Sequence, residues 1–316
     1  MEKAARRPSK KARRMPADSD GLAALALRLS KKFSGREEHE GQNIMFSPLS
    51  IYTALGLLAA GAQGDTLDEI LAVLGATSRD EVAAVMRLVS KHALAVDDPS
   101  GPLVVTSACS VWCHKDLPLK PAYRKAAVKS YKADARAVDF VSAQAPVQEG
   151  GQGPRGARYS MCIFLPTARD GLRSLADKLA SGAPGFLFDN LPTWSSEVKL
   201  RLPKFKLSFF CSMKKVLKSL GLRAAFSEGA DLSDMVEDSS GNTVRLRVED
   251  VFHRAVVEVN EEGTEAAAST AFVMVFLCAS DPVDFVADHP FAFYIVEEVS
   301  RSVVFAGHVL DPSETE

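Results

Sequence analysis

One segment of the sequence predicts a helix without a polar face, and it limits the folds open to the chain. Ser47 can cap the start of this helix, and Pro48 suits its first position. Residues 51–60 (IYTALGLLAA) contain no charged side chain. Because a surface helix needs a polar face, this run predicts a helix buried in the middle of the fold.

Length and charge place the chain among ordinary globular proteins. Its 316 residues suffice for one large domain or two ordinary ones, and 47% of them are hydrophobic. The formal net charge of −2 argues against nucleic acid as a partner of the chain as a whole. No apolar run reaches the roughly 20 residues that a spanning helix needs, so we expect no membrane partner.

Residues 1–18 are expected to form a disordered basic tail. Residues 1–14 hold seven basic side chains and one acid, and no apolar stretch typical of a secretory signal follows them. Such a run can be a nuclear-import signal, a polyanion-binding arm or a solvated tail. An odd number of irregularly spaced cysteines indicates reduced thiols: Cys109, Cys113, Cys162, Cys211 and Cys278. We therefore expect a cytoplasmic or nuclear protein, with non-classical release as the route to an extracellular one.

Helical and strand-like segments alternate irregularly, which predicts an α+β fold. Helices are expected from Asp20 onwards, from Thr66 with Glu69 at capping-box spacing, and at 121–132. Gly75 is expected to end the second of these helices. Strands are expected at 103–112, 159–165, 198–205, 244–248, 255–259 and 303–309. Residues 144–158 hold four glycines and two prolines without periodicity and predict an irregular junction.

The motifs of common catalytic sites are missing from the sequence. It contains no Gly-x-Ser-x-Gly, His-Glu-x-x-His or P-loop motif. Residues 151–156 spell the dinucleotide-binding fingerprint, but no strand precedes them and Pro154 interrupts them. Cys109, Cys113 and His114 could belong to a metal site, but the two cysteines share one face of a strand and fit a core better. We expect a protein that is not an enzyme and has no metal or cofactor.

Residues 256–271 (VVEVNEEGTEAAASTA) form the most unusual segment, because a strand gives way to a run of small side chains. One interpretation is a capped helix beginning at Thr264, since alanine is the best helix former. The other is an exposed loop that later enters a sheet as a strand, which bulky or charged inward-facing residues would block. Composition alone favours the helix, but it does not exclude the loop.

Four blocks, in order along the chain, resemble the serpin family, and its plant members most closely. Residues 43–51 resemble the entry to the family's central helix, and 259–271 resemble the hinge of its reactive loop. Residues 285–291 resemble the C-terminal family signature, and 305–312 resemble the closing strand. The resemblance covers about 21–312 apart from the middle region. It implies a single domain over 19–316, with a large mixed sheet, smaller sheets, surrounding helices and an exposed loop over 261–282.

The resemblance also implies a mechanism and its residues. A serine protease, or a cysteine protease, attacks the loop and forms an acyl-enzyme, which is trapped when the cleaved loop inserts into the main sheet. The family register puts the reactive bond between Leu277 and Cys278, with Phe276 as the neighbouring bait residue. An apolar bait indicates proteases of chymotrypsin-like or elastase-like specificity, and we expect a monomer. The implied hinge comprises Glu261, Glu262, Gly263, Thr264, Glu265, Ala266, Ala267 and Ala268, and the polar cluster that holds the sheet shut, the shutter, comprises Ser47, Ser50 and His253.

The middle of the chain departs from the family pattern. Typical members have a long stretch where this chain has only 144–158, and the missing part includes a helix over the sheet and one of the two strands between which the loop inserts. The asparagine partner of the shutter lies in that strand. Two hypotheses follow: a suicide inhibitor of serine proteases, favoured by the intact hinge, and a non-inhibitory homologue that is cleaved or only binds, favoured by the missing strand.

Overall fold

The computed structural model describes residues 20–35, 41–92, 110–114, 118–131, 134–138, 159–182, 186–189, 197–237, 244–259 and 283–314. The helices are α1 (Asp20–Ser34), α2 (Pro48–Gly61), α3 (Gly64–Leu74), α4 (Arg79–His92), α5 (Pro121–Tyr131), α6 (Leu172–Ser181), α7 (Phe186–Asp189) and α8 (Lys214–Ser219). The strands are β1 (Ile44–Phe46), β2 (Ser110–His114), β3 (Asp134–Val138), β4 (Tyr159–Phe164), β5 (Val198–Arg201), β6 (Phe205–Ser212), β7 (Phe252–Val259), β8 (Val283–Val286), β9 (Phe291–Glu297) and β10 (Ser302–Val309). The α+β class predicted from the sequence is confirmed.

The core is built around a four-stranded antiparallel sheet with the strand order β1-β10-β9-β4. Every residue of β9 and β10 is buried, as expected when both faces of a sheet are covered. On one face the Tyr294 hydroxyl donates to Ser30 Oγ of α1 at 3.1 Å. On the other face the ring of Phe293 lies 5.6 Å from that of Phe205 in β6. The sheet is therefore enclosed between α1 and β6.

Residues 43–46 and the last strand of the chain's described part meet at the edge of this sheet. Strand β1 pairs with β10, and Met45 lies opposite Gly307. Next to them, Asn43 Oδ1 accepts hydrogen bonds from the backbone N–H groups of Leu310 at 2.7 Å and Asp311 at 3.0 Å. A Cβ at Gly307 would lie 2.5 Å from the Ile44 carbonyl oxygen, so this close pairing of strands requires a glycine.

Three further pairs of strands surround the core. Strands β2 and β3 are parallel, β5 and β8 are parallel, and β6 and β7 are antiparallel. The β6–β7 register runs from Phe205 opposite Val259 to Ser212 opposite Phe252. Within the part of the chain that the structure describes, no hydrogen-bonded ladder joins β2–β3 to β6–β7.

Helix α2 is the buried central helix that the sequence predicts. Ser47 is its N-cap, Pro48 occupies its first turn, and eleven of its fourteen residues are buried. The Tyr123 hydroxyl of α5 donates to the Leu57 carbonyl at 3.2 Å. Helix α5 packs so close that a Cβ at Gly56 would lie 2.6 Å from the Tyr131 ring. The absence of a polar face is thus explained by neighbours on every side of the helix.

Two local predictions are wrong for tertiary reasons. Helix α3 ends at Gly75 as expected, with φ +67°, but it begins at Gly64 with Gln63 as its N-cap, so Thr66 and Glu69 form no capping box. Thr66 Oγ1 instead accepts from the Asp231 N–H, and Glu69 accepts from the N–H groups of Arg223 and Ala224. Residues 244–248 alternate in burial as a strand would but form none, and the Val248 N–H donates to the Ala225 carbonyl at 2.8 Å.

Candidate functional site

The site begins where helix α2 meets strand β7. Ser47 has extended backbone angles, φ −105° and ψ 102°, and its Oγ accepts from the Ser50 N–H at 3.1 Å. Its own backbone N–H donates to Nε2 of His253 at 3.0 Å. His253 lies on the inward face of β7 and is 4% exposed. The structure thus brings together the three residues that the resemblance names as the shutter, and it links β7 to the start of the central helix.

The His253 ring is held in its neutral form. Burial lowers the pKa of His253 to about 4. Because Nε2 accepts a hydrogen bond from Ser47, a proton on that nitrogen would break the bond and set two donors against each other. It would also place a positive charge near the positive end of the α2 dipole. The link between β7 and α2 therefore depends on a neutral imidazole.

The two serines contribute differently to this cluster. Ser47 supplies both its backbone N–H and its Oγ, whereas Ser50 supplies its backbone N–H. The Ser50 hydroxyl makes no hydrogen bond to a residue within the described ranges. The polar function of Ser50 in this cluster thus resides in its main chain.

Substituting the two serines should separate these contributions. Ser47→Ala is expected to lower the free energy of unfolding by about 1 kcal/mol, because the Ser50 N–H at the helix start loses its acceptor. Ser50→Ala, the matched control, is expected to change it by less than about 0.5 kcal/mol. Urea unfolding followed by circular dichroism measures both values, and equal losses would contradict the assignment.

Strand β7 leads from this cluster towards the predicted hinge. Its side chains alternate between exposed and buried, and it pairs with β6 along its whole length. It ends at Val259, two positions before Glu261, and β8 resumes at Val283. The two ends of the predicted loop are therefore carried by β7 on one side and by the β5–β8 pair on the other.

The predicted reactive residues lie outside the described ranges. This applies to the reactive bond between Leu277 and Cys278, to Phe276 and to the hinge at 261–268. It applies equally to the tail at 1–18 and to the junction at 144–158. These assignments remain predictions.

A second polar cluster, which was not predicted from the sequence, fixes the chain after β8. His289 Nδ1 lies 2.7 Å from the Asp288 carboxylate, and its Nε2 lies 2.6 Å from the Pro166 carbonyl oxygen. Since both partners are acceptors, this geometry favours a ring that is protonated on both nitrogens. The Pro166 carbonyl, and next the Asp288 carboxylate, raise the pKa of His289, and the hydrogen bond from His289 lowers the pKa of Asp288. Arg169 adds an ion pair to Asp288 at 2.6 Å. The adjacent Asp288 and His289 were the available signal in the sequence.

The described residues offer neither a metal site nor a membrane-spanning helix. No group of three or more His, Cys, Asp or Glu side chains in these ranges could hold a metal ion. None of the described helices combines the length and the apolarity that crossing a membrane requires.

Comparison with known proteins agrees with this geometry. The family model described as "Serpin (serine protease inhibitor)" matches residues 20–149 and 154–312. Serpin-Z2A of Oryza sativa subsp. japonica is 37% identical, with 94% of this chain and 98% of the relative covered. Putative serpin-Z8 of the same organism is 39% identical, with 93% and 96% covered. The structure of Arabidopsis AtSerpin1 in its native stressed conformation is 27% identical, with a TM-score of 0.79 over 94% of this chain and 98% of that chain.

The chain therefore belongs to the serpin family, whose members are in general protease inhibitors rather than enzymes. Its fold is the serpin fold, and the two sequence relatives named above are plant proteins. The alignment with serpin-Z2A runs over 416 positions against 316 residues in this chain, so at least 100 of them have no counterpart here. The family match breaks at 150–153, inside the glycine- and proline-rich sequence at 144–158.

Proposed function

We propose that this serpin presents its loop to serine proteases that prefer apolar residues and is cleaved after Leu277 without retaining the protease. The single observation that supports release of the protease is the strand pairing of β7. In the described ranges β7 pairs with β6 and with no other strand. Family membership supports the presentation of the loop to proteases, since it implies protease targets in general.

The apolar specificity is argued from the expected bait. Phe276 and Leu277 offer a protease two apolar side chains, and neither could pair with the acidic pocket of a trypsin-like enzyme. Cleavage after Leu277 transfers its acyl group to the protease serine and releases Cys278 as a new amino terminus. The fate of the ester then decides between inhibitor and substrate.

The driving force for trapping depends on where the cleaved loop can go. A strand that inserts between two neighbours gains hydrogen bonds on both sides and becomes central in the sheet, whereas a strand added at an edge gains them on one side. With β6 as the one described neighbour of β7, the loop gains only the edge arrangement. Water then has time to attack the ester, which frees the protease serine and leaves a carboxylate on Leu277.

Suicide trapping is the second candidate. It is favoured by the assembled contact between Ser47 and His253, which matches the shutter implied by the family. The small side chains at 266–268 also suit insertion into a sheet. Both candidates predict cleavage at the same bond, so the experiment has to follow the protease as well as the chain.

The test is incubation with equimolar chymotrypsin or elastase, followed by denaturing gel electrophoresis and amino-terminal sequencing. We expect two fragments, 1–277 and 278–316, no SDS-stable complex, and full protease activity after cleavage. A covalent complex would establish the trapping candidate instead. Leu277→Arg is the matched variant. Trypsin, and no longer chymotrypsin, should cleave the bond after position 277 in this variant. Continued cleavage of that bond by chymotrypsin would contradict the assignment of the bait residue.

A further inference from the structure

Strand β7 offers a second hydrogen-bonding edge that β6 does not use. In an antiparallel pair, every other residue points its N–H and C=O groups away from the partner strand. Strand β7 is eight residues long, and β6 is its one partner among the described strands. A long edge of this kind is a template for another strand. The order of side chains along β7 indicates which strand fits it.

The exposed face of β7 carries a self-complementary sequence. Its outward residues are Phe252, Arg254, Val256 and Glu258. Glu258 forms an ion pair with Lys206 of β6 at 2.9 Å. Arg254 makes no hydrogen bond or ion pair with any residue in the described ranges. Its neighbour across the ladder is Phe210, which offers no countercharge.

An antiparallel copy of β7 centred on Val256 would supply that countercharge. In this register Arg254 lies opposite Glu258 of the second copy, and the same pair recurs across the twofold axis. Val256, which is 48% exposed, lies opposite its own counterpart. A register centred on Arg254 would instead set two arginines against each other. Charge complementarity therefore selects the register centred on Val256.

We propose that this edge is an interface for a second copy of the chain, joined through antiparallel β7 strands. The result is a continuous sheet with the order β6-β7-β7-β6. On its outer face, the stacked rings of Phe210 and Phe252 extend the apolar surface around the central pair of valines, with ring centroids 5.9 Å apart. The inference goes beyond the proposed protease interaction and replaces the monomer expected from the sequence.

Charge reversal tests this register directly. The wild-type chain should dimerise with rising concentration in sedimentation velocity between about 1 and 200 µM, a range suited to a small interface. Arg254→Glu alone and Glu258→Arg alone should each weaken dimerisation about tenfold or more, because each creates two like-charge pairs. An equimolar mixture of the two variants should restore it, since the reversed charges then face each other. The double variant should also restore it within one chain.

Controls separate the interface from folding. Arg201→Glu reverses an exposed charge on β5 and should leave dimerisation unchanged. If the charge variants fail to fold by circular dichroism, Val256→Cys keeps the proposal testable. Under mild oxidation it should cross-link two copies, whereas Ser212→Cys on β6 and the wild-type chain, with its native cysteines, should not.

Three outcomes would overturn the proposal. In the first, the wild-type chain stays monomeric at every concentration, as it would if its own loop at 261–282 occupied the edge. In the second, the charge reversals do not change association. In the third, the Val256→Cys variant does not cross-link.

Discussion

Between pH 7 and pH 4 the folded chain is expected to lose about 3 kcal/mol of stability for each of two buried histidines. Burial lowers the pKa of both His253 and His308 to about 4, from an ordinary value of 6.5. As the pH falls below 6.5, the unfolded chain takes up a proton at each position before the folded chain does. The contribution is therefore present above pH 6.5 and is lost as the pH falls towards 4.

Chemical unfolding at pH 7, 5.5 and 4 measures this loss. His253→Gln keeps a neutral polar side chain and should remove about half of the pH dependence. His92→Gln, at the end of α4, is the control and should retain the wild-type profile. An unfolding free energy that stays constant between pH 7 and 4, or a His253→Gln profile identical to wild type, would refute the assignment.

The contribution of His289 to stability changes with pH in the opposite direction. It has to be separated from those of His253 and His308 in such unfolding data. Its pKa is raised by the Pro166 carbonyl and the Asp288 carboxylate. Its contribution is present below pH 6.5 and is lost as the pH rises through the folded-state value. The stability contributions of His253 and His308 are therefore present above pH 6.5, whereas that of His289 is present below it.

Phe209→Ala is expected to lower the free energy of unfolding by about 3–5 kcal/mol, whereas Phe210→Ala should lower it by no more than about 1 kcal/mol. The two rings are neighbours on β6 but lie on opposite faces. Phe209 is buried and meets the ring of Phe33 edge-on at 5.7 Å. Phe210 is 65% exposed and stacks on Phe252, which is 68% exposed.

Urea midpoints of the two variants, measured at pH 7, test this difference. The variants delete the same atoms from adjacent positions of one strand, so the gap between them reports burial rather than composition. Similar losses would mean that the outer face of β6 is covered.

Predictions from the sequence succeeded where the structure depends on a local pattern and failed where it depends on distant residues. Helix α2 could be predicted because an all-apolar helix has one stable location, the interior. The Thr66 and Glu69 capping box failed because both side chains satisfy backbone groups of 223–231, which no local pattern reveals. The strand at 244–248 failed because alternation describes burial and not the presence of a partner strand.

The candidate site was harder still to predict, because it depends on contacts between residues that are far apart in the sequence. Ser47 and His253 are 206 positions apart and were paired through the family resemblance, not through spacing. The exposed Phe210–Phe252 stack could not be foreseen, because it depends on the β6–β7 register. Arg254 and Glu258 can be read from the sequence, but their complementarity becomes visible only when the structure shows that, among the described strands, β7 pairs with β6 alone.

The closure of the central sheet by its last strand has a consequence for biosynthesis. Strand β10 sits between β1 and β9, and Asn43 holds Leu310 across 267 positions of sequence. Such distant pairing slows folding, because a long loop must close before the contacts can form. While the ribosome is still adding residues, α1 and α2 have no completed sheet to cover their apolar surfaces. Until β10 has been synthesised these apolar surfaces stay exposed, and a chain in that state is prone to aggregation.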